Sequence, residues 1–64
     1  NSYVLEDYHG VVAVFYKGSE QDRPILQTDI SVSGLRAVDK ELLADGIEVG
    51  SYEEVLKRLE DFSS

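Results

Sequence analysis

His9 is the one histidine of the chain, Asp7 stands two residues before it, and Ser19 and Ser51 supply hydroxyls that chain reversal could bring near. Acid, base and nucleophile of these types are what acyl transfer uses, but the nucleophile needs a base held in place and an oxyanion hole beside it. A hairpin tip in solvent offers neither, so His9 reads as a turn residue and no catalytic residue is assigned. Oxygen ligands for a hard cation are the other candidates, since Asp39, Glu41, Asp45 and Glu48 gather around one predicted helix. They lack the alternating spacing and central glycine of an EF-hand loop and read as a solvated acidic face. No metal or other cofactor is expected.

Contact chemistry is better represented. Tyr3, Tyr8, Tyr16 and Tyr52 carry large apolar area with a polar tip, the side-chain type enriched at interfaces, although packing within the domain is their default role. Both faces of the first predicted hairpin are apolar, with Leu5, Val12 and Val14 on one and Val4, Ala13 and Phe15 on the other. Two or three short helices can hardly cover both. The face of Val4, Ala13 and Phe15, or an unpaired sheet edge beside it, is therefore the expected protein-binding site. The competing expectation is that a short helix near Ile30 covers this face.

Composition narrows the field. A chain of 64 residues is expected to form a single domain over 1–64, and chains of that size bury only about 60% of the surface they expose when unfolded. That favours a flat or edge-mediated contact over a walled pocket of roughly 300 Å³ or more. Thirteen acidic against six basic residues give a net charge of −7, which repels phosphate backbones and argues against nucleic acid as a partner. Cysteine is absent, which removes disulfides and thiolate chemistry and leaves the redox compartment open. No apolar run approaches the roughly 20 residues that cross a bilayer, so direct membrane insertion by this segment is not expected. The chain starts at Asn1 and contains no methionine, which predicts a domain excised from a longer protein or a processed product.

The elements that would hold these groups follow from local signals. Tyr3–Tyr8 and Val11–Tyr16 are rich in β-branched and aromatic residues and flank His9-Gly10, a pair suited to a type I′ turn. A two-residue loop sets Leu5 opposite Val14, Tyr3 opposite Tyr16 and Val4 opposite Phe15. After a polar loop from Lys17 to Arg23, a third strand is predicted from Pro24 to Thr28, with the proline at its start or on an edge. Thr28-Asp29 offers a cap for one helical turn over Ile30 to Ser33, ended by Gly34. Leu35, Val38 and Leu42, with Leu43 beside them, mark an amphipathic helix from Arg36 to Asp45. Gly46 then suits a left-handed ending in which Ile47 closes over Leu42, followed by an extended connector, Ile47-Glu48-Val49.

Ser51 and Glu54 have capping-box spacing, each side chain able to satisfy the other's amide. Behind them Tyr52, Val55, Leu56, Leu59 and Phe62 make an apolar stripe on a helix from Tyr52 to Phe62, to lie on the sheet. The expected core is Leu5, Val12, Val14, Ile25 or Leu26, Leu35, Val38, Leu42, Ile47, Val55, Leu59 and Phe62.

Several of these residues, in this order, resemble the C-terminal domain of BofC, the bypass-of-forespore-C proteins of spore-forming Firmicutes. The resemblance rests on Tyr3-Val4-Leu5 leading to Tyr8-His9-Gly10, on Val12-Ala13-Val14-Phe15, on Thr28-Asp29-Ile30, and on Asp39-Lys40-Glu41-Leu42-Leu43 through Gly46-Ile47-Glu48-Val49. Ser51-Tyr52-Glu53-Glu54 and Leu59-Glu60-Asp61-Phe62 complete it. It implies a three-stranded sheet with three helices, placed after other segments of an exported or membrane-tethered protein. BofC restrains a sporulation signalling protease, but its C-terminal domain carries no defined activity. The chain departs from the family pattern at His9, where asparagine is common, and at Leu35-Arg36, where Leu-Pro would fix the start of the middle helix.

The reading is an α+β domain in which a three-stranded antiparallel β-sheet packs against two to three short α-helices. Its expected function is a non-catalytic protein-interaction or regulatory module of a larger exported or membrane-tethered bacterial protein, related to sporulation. The partner would be a protein, another domain of the same chain or a second copy in a homodimer. The alternative is a small acidic cation-binding or hydrolytic domain, which requires carboxylates converging in a pocket.

Overall fold

Pairing between the first two strands is decided at His9-Gly10. His9 sits at φ 52° and Gly10 at φ 88°, the left-handed pair of a type I′ turn whose twist matches the strands it joins. The Asp7 carboxylate accepts a hydrogen bond from the Gly10 amide at 3.0 Å, which ties the bend from below. A computed structural model describes residues 2–18 and 23–63. Its strands are β1 (Tyr3–Tyr8), β2 (Val11–Tyr16), β3 (Leu26–Ser31) and β4 (Ile47–Val49), with a 3₁₀ turn over Val32–Gly34 and helices α1 (Ala37–Asp45) and α2 (Tyr52–Ser63). Leu5 lies opposite Val14, Tyr3 opposite Tyr16 and Val4 opposite Phe15, the expected register.

The sheet among the described residues has four antiparallel strands in the order β3-β2-β1-β4, not three. Ile47-Glu48-Val49 is the additional strand: Ile47 pairs with Leu5 and Val49 with Tyr3, while Glu48 points to the other face opposite Val4. Three residues are too few to carry a strand signal of their own. What makes them a strand is the free outer edge of β1, far away in sequence.

The third strand also differs, running from Leu26 to Ser31 where Pro24 to Thr28 was expected. Its pairing with β2 is interrupted between Val11 and Ala13. At that irregularity the Thr28 hydroxyl donates to the Val12 carbonyl at 2.6 Å and accepts from the Ile30 amide at 3.2 Å. It thus replaces ladder bonds that the bulge breaks, and it does not cap a helical turn. The ladder resumes with Val32 N–H donating to the Gly10 carbonyl at 2.9 Å, and the single helical turn moves on to Val32–Gly34.

Helix α1 is rotated from the expected orientation. Leu43 is 1% exposed, whereas Val38 and Leu42, both expected in the core, are 55% and 44% exposed. Leu35 is extended (φ −88°, ψ 164°) and lies before the helix, whose N-cap is Arg36. The apparent series Leu35, Val38, Leu42 therefore never shares one helical face, and Leu43 alone turns inward. Gly46, at φ 91° and ψ 123°, donates to the Leu42 carbonyl at 2.9 Å. Ile47 leaves into β4 beside Leu5 and does not close over Leu42.

Helix α2 begins as expected, with the Ser51 hydroxyl accepting from the Glu54 amide at 3.3 Å. The return bond differs by one residue, since the Glu54 carboxylate accepts from the Gly50 amide at 3.5 Å. Val55 is fully buried and Leu59 and Phe62 pack on the core, while Tyr52 and Leu56 are exposed. The core joins Leu5, Val12, Val14, Ile47 and Val49 of the sheet to Val32, Leu43 and Val55, with Leu26, Ile30 and Leu35 at its margin. Burial of each such side chain contributes about 1.5–3 kcal/mol.

The Thr28 hydroxyl gives a direct test. Thr28→Val keeps the shape but leaves the Val12 carbonyl and Ile30 amide without their partner, so urea unfolding should show a loss of about 1–2 kcal/mol. Thr28→Ser should keep most of the stability. An unchanged midpoint for Thr28→Val would show that the bulge does not depend on the hydroxyl.

Candidate functional site

Side-chain alternation sorts the sheet into two faces. Leu5, Val12, Val14, Ile47 and Val49 point to the face that meets both helices. Val4, Glu6 and Tyr8 of β1, Val11, Ala13 and Phe15 of β2, Gln27, Asp29 and Ser31 of β3, and Glu48 of β4 point to the other. The inward residues of α1 and α2, Leu43 and Val55, and the Val32 of the 3₁₀ turn all join the first face. None of Val4, Ala13 or Phe15 belongs to that core. The turn near Ile30 therefore does not cover the second face, and no helix among the described residues packs its inward side chains there.

The second face is organised by one ring contact. Tyr8 and Phe15 meet edge to face, with ring centroids 5.8 Å apart and planes at 70°. They stand on neighbouring strands on either side of Ala13, which is opposite Glu6. Ala13, flanked across the strands by Glu6 and Gln27, is 0% exposed. Of the three residues expected at the interface, Val4 and Phe15 are half-buried and keep accessible surface. Ala13 has none. Tyr8 and Val11, both half-buried on the same face, extend the accessible apolar strip.

Three carboxylates share this face: Glu6, Glu48 and, between Gln27 and Ser31 of β3, the exposed Asp29. Glu48 is paired with the Lys17 ammonium at 2.8 Å, both side chains remaining more than half exposed, a geometry that contributes at most about 1 kcal/mol. Glu6 is half-buried between Val4 and Tyr8 and has no hydrogen-bond or ion-pair partner among the described residues. Strand alternation already placed Glu6 beside Val4. Its lack of a counter-charge depends on where distant cations fall, which no local pattern carries.

The other candidates are dispersed. Asp7 holds the turn, His9 packs its ring on Tyr8 at 4.3 Å, and Ser51 caps α2; Ser19 lies outside the described residues. Of the acidic set, Asp39 accepts from Arg36 Nε at 3.3 Å, Glu48 pairs with Lys17, and Glu41 and Asp45 are exposed on α1. Among the described residues no three carboxylate or imidazole groups converge as a metal site would need. The tyrosines divide, Tyr3 packing on Tyr16 at 5.3 Å and on Tyr52 at 5.8 Å while Tyr8 joins Phe15. A groove of about 410 Å³ runs between the start of α1 and the end of α2, lined by Gly34, Leu35, Arg36, Asp39, Asp61 and Phe62. Its described lining residues include a guanidinium and two carboxylates.

No protein-family model, curated protein or solved structure matches this chain.

Gly46 supports the second face from its edge. A Cβ there would lie 3.0 Å from Val4 Cγ1 and 3.7 Å from Glu6 Cγ, at a φ of +91° that side-chain-bearing residues rarely adopt. Gly46→Ala should therefore destabilise the fold by roughly 1–3 kcal/mol and move the Val4 and Glu6 resonances in an NMR spectrum. Gly34→Ala, whose Cβ would meet open space, is the control and should change stability by less than about 0.5 kcal/mol. Equal stability of the two variants would contradict this account of the edge.

Proposed function

We propose that this chain is a non-catalytic protein-interaction or regulatory module that docks through its helix-free sheet face. One observation carries the reading. Antiparallel sheets with one face in water normally present polar residues there, whereas five of the six positions that β1 and β2 turn to this face are apolar or aromatic: Val4, Tyr8, Val11, Ala13 and Phe15. An apolar strip with a polar rim is the usual anatomy of a contact site.

The resemblance to the BofC C-terminal domain supports a place in a larger exported or membrane-tethered bacterial protein with a role in sporulation. No helix among the described residues is long and apolar enough to cross a membrane, so any tethering in this reading is supplied by other segments. The partner is another protein or a neighbouring domain of the same chain, and nucleic acid is disfavoured by the charge of −7. A second reading, a small cation-binding or hydrolytic domain, draws on the groove beside Asp39 and Asp61, whose volume falls in the ligand range of about 300–1,000 Å³.

A photo-crosslinking residue in place of Phe15, in the cell that makes the protein, should give one discrete adduct, either to another protein or, as an internal crosslink mapped by mass spectrometry, to a neighbouring domain of the same chain. The same residue in place of exposed Val38 should give none. Tyr8→Ala should weaken the adduct about tenfold, the effect of truncating a hot-spot aromatic. No adduct at position 15, or equal labelling at position 38, would contradict the reading.

A further inference from the structure

The uncompensated carboxylate of Glu6 says what kind of partner this face admits; the inference rests on the docking reading and deepens it. We propose that the occupant is a polypeptide segment presenting an arginine flanked by apolar side chains, with the guanidinium meeting Glu6.

The apolar residues and the charge make opposite demands. Val4, Tyr8 and Phe15 favour an apolar cover, and Glu6 stands among them, half-buried and without a cation among the described residues. A wholly apolar cover would strip water from that carboxylate and return nothing, which is strongly unfavourable for an ion. Of the other carboxylates of the face, Glu48 is already matched by Lys17, and Asp29 on β3 is exposed to water. Glu6, the half-buried carboxylate among the apolar side chains, is thus the position at which an incoming cation is most needed. A guanidinium suits it better than an ammonium, because it pairs with a carboxylate in two parallel bonds while its plane lies against an aromatic ring. The Tyr8 ring follows Glu6 on the same strand face. A second copy of the chain is the poorer occupant, since it brings a further charge of −7 and its own Glu6 toward this one. The same net charge draws cationic segments in from a distance.

Twin short peptides test this on the intact chain: valines and threonines alternating around a central arginine, and the same peptide with glutamate at the centre. Binding is followed by NMR shifts of Val4, Val11 and Phe15. The arginine peptide should bind this face about tenfold more tightly than its twin, the scale of one charge-assisted hydrogen bond. Glu6→Gln should abolish the difference, and Glu6→Lys should reverse it. The comparison on the unaltered protein needs no variant to fold. Equal binding of the twins at this face would overturn the inference while leaving the docking reading intact. Shifts from neither peptide on this face would overturn both.

Discussion

The register of β1 against β2 is the constraint on which the rest of the structure depends. The His9-Gly10 turn sets Leu5 against Val14, and because strand side chains alternate, that one choice assigns every residue of both strands to a face. Leu5, Val12 and Val14 become the centre of the core. β4 then extends the same apolar layer by placing Ile47 and Val49 beside Leu5 and Tyr3. Both helices contribute their inward residues to this layer, and the described residues form no third α-helix for the other side.

The unroofed face is therefore a consequence of size as much as of pattern. Its two central strands, β1 and β2, keep the apolar composition of a doubly covered sheet, flanked by the polar Gln27, Asp29 and Ser31 of β3 and Glu48 of β4. The burial of Ala13 keeps its side chain out of the accessible surface. It also confines the accessible apolar surface to Val4, Tyr8, Val11 and Phe15, with Glu6 set among them. Contact area and a selective charge thus occupy the same few square nanometres of sheet.

What could be read from the residues alone was whatever local chemistry dictates. The turn, the register, the start of α2 at Ser51 and the grouping of Val4, Ala13 and Phe15 on one face each follow from neighbours in sequence. Features decided by distant partners were not legible. β4 exists because β1 has an unpaired edge, and Thr28 bonds within the sheet because β3 bulges opposite Val12. Val38 and Leu42 misled because Leu35 supplies the first member of their periodicity from outside the helix. At the candidate site the composition of the face was legible, whereas the enclosure of Ala13 and the isolation of Glu6 depend on side chains meeting, or failing to meet, across strands.

The central claim is that one sheet face is sealed by helices and the other is open to solvent. Relaxation of side-chain NMR signals by a neutral, water-borne gadolinium chelate measures this directly. The account predicts strong relaxation of the Val4 and Val11 methyls and the Phe15 ring, and little for Leu5, Val12 and Val14. Equal protection of Phe15 and Val14 would contradict it.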